Sequence, residues 1–174
     1  MTRPKPGVVM AAAMITPFIV TVPELLGSSV QHKASSASQS ASERTIEGVW
    51  RTAVAQRNCE TDVVGPFGIR GLFTFHEGGT LSEFGVAPGS SPALRSPGHG
   101  VWQREHGWQD YSLAFTYYRY DVSGALVGSQ RVRATLELGP GGDEFTGKST
   151  VEVLDVNDNL TATVCAASVG TRFE

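Results

Sequence analysis

From about Thr45 onwards, apolar and polar residues alternate in short runs that are separated by Gly, Pro, Asn and Asp. A period of two residues is typical of half-buried β-strands, and no stretch shows the period of three to four residues that marks an amphipathic helix. The pattern predicts an all-β domain over residues 45–174.

Neighbouring runs can be tested as hairpins, because a slip of one residue turns every side chain of a strand to the other face. Pairing Asp121 with Leu126 places mainly apolar residues opposite one another: Tyr117 and Gln130, Phe115 and Val132, Leu113 and Ala134, Tyr111 and Leu136. The same inner face continues in three further pairs: Leu138 with Asp143, Val151 with Val164, and Trp102 with Tyr111. Five consecutive runs therefore agree about which face is buried.

The run "FTFHEGGTLSEFG" predicts a hairpin with a two-residue turn at Gly78 and Gly79, since this kind of turn needs positive φ angles. In that register Phe73 faces Phe84 and Phe75 faces Ser82. With the first run, "GVWRTAVAQ", about eight strands follow one another in meander order. Eight strands suffice to close an antiparallel up-and-down barrel, which removes exposed sheet edges. A two-sheet sandwich is the alternative.

The first strand opens with Gly48-Val49-Trp50, and Arg172 near the C-terminus keeps the inward parity of the last strand. Arg172 is therefore expected to stack on the Trp50 indole, and Arg104, also inward near this end, competes for the same ring. Here the sequence resembles the lipocalin and wider calycin group, as an exported bacterial type. In that group Gly-x-Trp opens the first strand, and a late Arg packs across the Trp to close the barrel bottom.

The resemblance covers residues 48–174 in architecture, and it has two departures. The helix that lipocalins usually carry after the last strand is not found before Glu174, and the signature of the family's middle loops is not evident. Trp50 as a core aromatic of another β fold is therefore the alternative reading.

The two cysteines, Cys59 and Cys165, share the outward parity of the first and last strands. One disulfide between them is the simplest interpretation for an exported chain. A zinc site needs more ligands, and a redox pair is more often Cys-x-x-Cys.

The N-terminus has the order of a secretory signal: Arg3 and Lys5, then the apolar run "GVVMAAAMITPFIVTV", then small residues. We assign residues 1–27 to a signal peptide, with an uncleaved membrane anchor as the alternative, and residues 28–44, which include His32, to a disordered Ser/Ala-rich tether. The predicted location is secreted or periplasmic. The net charge of −3 provides no basic surface for nucleic acid.

Long loops rich in Gly, Pro and Ser border the end of the barrel opposite Trp50, where binding usually resides. The inward residues nearest that mouth predict a pocket for a small apolar or amphipathic molecule: Phe115, Tyr117, Arg119, Gln130, Ser149 and Val151. Small inward residues, Gly100, Gly128, Gly147 and Ala134, are expected to leave volume for it. A barrel filled by its own aromatics, acting through its surface, is the alternative.

An enzyme would draw on His76, Glu83 and His99 for general acid–base chemistry, but the predicted register turns all three outward. We therefore assign no catalytic residue, cofactor or metal. The segment "DVNDN" at 155–159 is explained by a hairpin turn, because it lacks the Gly and the distal Glu of a calcium loop. A barrel isomerase or cyclase of the allene oxide cyclase kind remains an alternative.

Overall fold

The computed structural model describes residues 45–173, so the predicted signal peptide and tether lie outside the described residues. Eight antiparallel strands account for most of this part: β1 Gly48–Arg57, β2 Ile69–Phe75, β3 Thr80–Val86, β4 Gly98–Arg104, β5 Asp110–Tyr120, β6 Leu126–Leu138, β7 Glu144–Leu154 and β8 Leu160–Arg172. A one-turn 3₁₀-helix, Pro92–Leu94, lies in the loop between β3 and β4. Within residues 45–173, no helix is long and apolar enough to cross a membrane.

The strands form one closed barrel in which each strand pairs with its neighbours in the chain, and β1 pairs with β8. The predicted up-and-down meander is therefore confirmed, and the two-sheet sandwich is wrong. Closure between the first and last strands places Trp50 directly opposite Arg172. This architecture is consistent with a calycin-like fold.

The inner face of the barrel is the one that the alternation predicts over β5 to β8. Tyr117 pairs with Gln130 and Phe115 with Val132, as predicted. The predicted pair of Val151 with Val164 is also confirmed.

The predicted pair of Asp121 with Leu126 is wrong, because the β5–β6 hairpin contains a bulge. Tyr120, and not Asp121, pairs with Leu126 after a register shift that follows Arg119. Gly128, at φ +135°, takes the backbone conformation that the bulge requires.

Two predicted registers are wrong by two residues and keep the correct face. Leu138 pairs with Phe145 instead of Asp143, because the turn is longer than predicted: the amide of Gly139 donates to the Glu144 carbonyl at 2.8 Å, with residues 140–143 between them. Trp102 pairs with Leu113 instead of Tyr111, since the turn between β4 and β5 is longer than two residues. A shift of two residues preserves side-chain orientation in a strand.

The predicted β2–β3 register is wrong by one residue, and this error inverts β3. The amide of His76 donates to the Thr80 carbonyl at 2.9 Å, which leaves three residues in the turn instead of two. Phe73 therefore pairs with Glu83. Phe84 points outward and is 36% exposed, whereas Glu83 points into the barrel and is 6% exposed.

The volume expected at the inward glycines is largely filled by neighbouring groups. A Cβ on Gly100 would collide with Phe115, and one on Gly147 would collide with Leu136. The glycines therefore allow close packing rather than leaving space, so the free volume of the barrel lies elsewhere.

The disulfide between Cys59 and Cys165 links the loop after β1 to the outer face of β8, with their Cα atoms 5.3 Å apart. The same loop returns along β1, where Gly65 donates to the Gln56 carbonyl at 2.9 Å. The loop and its disulfide thus lie across the seam at which the barrel closes.

Candidate functional site

One end of the barrel is closed by Trp50, which is fully buried. Its indole Nε1 donates to the Ile46 carbonyl at 2.7 Å, and its ring centroid lies 5.1 Å from that of Phe145. Ile46 and Leu138 are also fully buried. This end is therefore packed with the protein's own side chains.

Arg172 covers the closed end, with its guanidinium carbon 4.4 Å from the centroid of the Trp50 ring. Its nitrogens donate to the carbonyls of Thr45 and Glu47, each at 2.7 Å, and to that of Gly142 at 2.8 Å. Burial lowers the pKa of Arg172 from its usual value, with the Asp143 carboxylate opposing. The predicted competition from Arg104 is not seen, because its guanidinium lies over Tyr111 at 5.6 Å.

A cavity of about 370 Å³ occupies the interior between the closed end and the mouth. Its wall is mainly apolar, formed by Val54, Ile69, Phe73, Leu113, Phe115, Val132, Ala134, Leu136, Val151, Val164 and Ala166. Ile69 is 39% exposed and Val164 37%, so the cavity opens to solvent at the end where β1 finishes and β8 begins. The predicted loops after β1 and β3 lie at this end.

Five of the six predicted pocket residues lie on the cavity wall: Phe115, Tyr117, Gln130, Ser149 and Val151. The sixth, Arg119, is not part of the wall. It lies near the end of β5, where its backbone pairs with that of Arg95. A ligand-binding role for these six residues stays a prediction.

Larger hollows, of about 610 and 530 Å³, indent the outer wall of the barrel. They are lined largely by outward-facing side chains such as Gln103 and Arg133 and are open to solvent. The interior cavity is smaller, but it is enclosed by inward-facing residues of several strands, which is the usual form of a small-molecule site.

The cavity contains an ion pair that the sequence pattern did not predict, between Glu83 of β3 and Arg95 of the β3–β4 loop. Arg95 Nη2 donates to Glu83 Oε2, and the two side chains are only 16% and 6% exposed. Arg95 also donates to the carbonyls of Gly85 and Ser96, both at 3.2 Å. The loop is thereby anchored to the inside of the barrel.

Tyr117 extends this polar cluster along the wall. The guanidinium carbon of Arg95 lies 3.6 Å from the centroid of the Tyr117 ring, a favourable cation–π geometry. The Tyr117 hydroxyl donates to Gln130 Oε1. Burial raises the pKa of Tyr117, so its hydroxyl remains protonated and able to donate.

Burial also raises the pKa of Glu83 above its usual range, and the attraction and hydrogen bond of Arg95 oppose this effect. For a carboxyl group whose pKa is higher in the folded state, folding takes up protons. The stabilisation associated with this uptake is complete below the unfolded pKa and is lost as the pH rises through the folded pKa. Glu83 thus favours folding at acidic pH. At neutral pH, Arg95 offsets the cost of burying the ionised carboxylate.

Arg95→Met is expected to lower the free energy of unfolding by about 2 kcal/mol at pH 7, because it leaves a buried carboxylate without its counter-charge. The loss should diminish towards pH 4.5, as Glu83 becomes protonated. Urea unfolding of variant and wild type at both pH values measures this difference. The double variant Glu83→Gln/Arg95→Met should lose this pH dependence. An equal loss of unfolding free energy at both pH values in Arg95→Met would contradict the pairing of Arg95 with Glu83.

The three residues considered for acid–base catalysis do not form a cluster. His76 and His99 are exposed on the outer face, where the His76 ring contacts the Ser82 hydroxyl at 2.9 Å. Glu83 lies on the opposite side of the same sheet, so the prediction that it faces outward is wrong. No imidazole of these two histidines is available to the Glu83 carboxylate inside the barrel.

The Asn/Asp-rich segment at 155–159 is a hairpin turn in the structure. Asp155 Oδ1 accepts hydrogen bonds from the amides of Asn157 and Asn159 at 2.8 and 2.9 Å. These hydrogen bonds lower the pKa of Asp155, the largest effect being that of the Asn159 side chain.

Comparison with known proteins adds no relative. The sequence matches no family model, and no curated protein is similar to it in sequence. The barrel is therefore established by its strand order and closure, and its functional assignment depends on the cavity.

Sequence reasoning placed Glu83 on the wrong face of β3 and did not consider Arg95, for different reasons. In β3, Leu81 and Phe84 have opposite parity, so the apolar pattern alone allows either face to point inward. Arg95 follows a Ser/Pro-rich loop that has no periodicity. The available signal was Gly85 and Gly98, whose lack of a Cβ leaves room beside Glu83.

Proposed function

We propose that this barrel binds one small, mainly apolar molecule in its interior, as a lipocalin-like binding protein. The supporting observation is the cavity of about 370 Å³ with its apolar wall and few polar groups. Eight-stranded barrels are wide enough to hold one small ligand, and ligand pockets usually start at about 300 Å³. The cavity also favours a binding role over a barrel filled by its own side chains.

The cavity volume limits the size of the ligand. If each non-hydrogen atom takes about the 30 Å³ of a liquid water molecule, the cavity holds about a dozen of them. A medium-chain alcohol or a one- or two-ring compound is of this size.

Ala166→Phe is expected to weaken binding of 1-octanol by about tenfold or more, because the added ring occupies the apolar volume that the ligand needs. Ala166 lies on the cavity wall. Isothermal titration calorimetry of wild type and variant measures the effect. Thr163→Phe adds the same ring to the exposed outer face of the same strand and is the matched control.

Equal octanol affinity in wild type and Ala166→Phe would contradict binding inside the barrel. Equal losses in both Phe variants would indicate a general effect on β8. Circular dichroism melts of both variants establish that the fold is retained.

A barrel isomerase or cyclase is the second candidate, and the observation that favours it is Glu83 inside the cavity. A carboxyl group with a raised pKa in an apolar site suits proton transfer. Turnover of a bound compound that disappears in Glu83→Gln, while binding persists, would favour the enzyme over the binding protein.

We also propose that the protein is exported and acts outside the cytoplasm. The disulfide between Cys59 and Cys165 supports an oxidising compartment, and the N-terminal sequence has the order of a secretory signal. Intact-mass measurement of protein from the native host should show loss of a segment ending near residue 27 and no free thiol. A full-length, reduced chain would contradict the proposal.

A further inference from the structure

The charges on the cavity wall cancel each other. Among the wall residues, Glu83 and Arg95 are the two with formal charges at neutral pH. They have opposite signs and are joined in an ion pair. The wall therefore offers no net charge to a ligand.

The fold makes specific room for this pair. A Cβ on Gly85 would lie 2.9 Å from Glu83 Oε1, and one on Gly98 would lie 2.6 Å from Glu83 Oε2. Gly85 lies two residues after Glu83 on the same face of β3, and Gly98 pairs directly with Glu83 on β4. Any larger residue at either position would displace the carboxylate, so the site is shaped around it.

Arg95 is already occupied by protein groups on several sides. Its nitrogens donate to Glu83 and to the carbonyls of Gly85 and Ser96, and its guanidinium plane covers the Tyr117 ring. A ligand carboxylate would have to replace Glu83 to gain a comparable contact. The pair is thus poorly arranged to bind an anion.

Other groups on the wall are suited to an uncharged polar group. Gln130 lies on the cavity wall, and its Oε1 accepts a hydrogen bond from the Tyr117 hydroxyl, so that Tyr117 does not use the donor capacity of its amide nitrogen. Arg95 donates to Oε2 of Glu83, which leaves Oε1 as an acceptor. A hydroxyl or a primary amide can both donate and accept, and so matches this combination.

We propose that the Glu83–Arg95 pair makes the cavity selective for uncharged molecules that carry one hydrogen-bonding group, such as medium-chain alcohols or amides. This inference rests on the proposed function. Its physical reason is that a charged ligand would be buried without a free counter-charge, which is costly, whereas a neutral polar group needs only hydrogen bonds.

Arg119 is the alternative site for a charged head group. It lies near the mouth outside the cavity wall, and its Nε is buried without a hydrogen-bond partner among residues 45–173. An amphipathic anion could place its tail in the cavity and its head at Arg119. Binding of anions through Arg119 is therefore an outcome that the experiment must distinguish.

The test compares 1-octanol, octanoate and octylammonium by calorimetry at pH 7.5, where the acid is ionised and the amine protonated. In wild type, octanol is expected to bind about tenfold or more tightly than either ion. Glu83→Gln frees the positive charge of Arg95 and should improve octanoate binding, and Arg95→Met should improve octylammonium binding, each by about tenfold. Glu152→Gln, which breaks an ion pair with Arg131 on the outer face, is the matched control.

Equal affinities for the three compounds would overturn the selectivity and leave the proposed function intact. Tightest binding of octanoate, lost in Arg119→Met but unchanged in Glu83→Gln, would place the head group at the mouth and also overturn it. Absence of binding by all three compounds would instead contradict the proposed function.

If either charge variant fails to fold, the order of the wild-type affinities for the three compounds still tests the selectivity. Gln130→Leu retains the ion pair and should weaken octanol binding about three- to tenfold, through loss of one hydrogen bond. Unchanged octanol affinity in this variant would count against the proposed polar contact.

Discussion

Replacing Cys59 and Cys165 by Ser is expected to lower the free energy of unfolding by about 4–5 kcal/mol, because the disulfide closes a loop of roughly a hundred residues in the unfolded chain. The two cysteines are 106 positions apart. The disulfide joins the loop after the first strand to the last strand, so the segment of chain between the two cysteines contains most of the barrel. Its removal gives the unfolded chain much more freedom.

Urea unfolding of the oxidised wild type and of the double Ser variant measures this difference. Reducing the wild type with dithiothreitol should produce nearly the same loss, and the double Ser variant should not respond to the reductant. A difference below about 1 kcal/mol would show that the unfolded chain is already restricted in other ways.

Trp50→Ala is expected to lower the free energy of unfolding by about 3–5 kcal/mol, since it removes a large, fully buried ring. The loss includes the packing of the indole against Phe145 and the hydrogen bond from its Nε1 to Ile46. Arg172 would also lose the ring on which its guanidinium lies. The closed end would then be left with a cavity that neighbouring side chains cannot fill.

The matched control is Val49→Ala, at the adjacent and outward-facing position of the same strand, where the side chain is 39% exposed. It should cost no more than about 1 kcal/mol. Urea melts of both variants give the comparison. A nearly neutral Trp50→Ala would contradict the role of this ring in closing the barrel.

The predictability of each strand pair depended on how clearly its apolar residues alternate. In β5 and β6, three aromatic or aliphatic pairs reinforce one register, and Phe115 opposite Val132 is confirmed. In β3 the apolar residues Leu81 and Phe84 occupy opposite faces. One residue more in the turn was therefore enough to select the other face, and it brought Glu83 inside.

The candidate pocket was predictable in part for the same reason. Inward parity on long strands leads to Tyr117 and Gln130, which lie on the cavity wall. The parity of Arg119 is also inward, but Arg119 lies near the end of β5, beyond the cavity wall. Alternation shows which way a side chain faces, and it does not show how far along the barrel the cavity extends.

By itself the sequence determined that the domain over residues 45–173 is all-β, that its strands follow one another in order, and that Trp50 and Arg172 share the inner face. These features are local, because alternation and turn residues act over a few positions. Only the tertiary structure decided that Glu83 meets Arg95 in the cavity. That contact depends on the length of one turn, on the path of a loop without periodicity, and on Gly98, which comes to lie opposite Glu83 only when β3 and β4 pair.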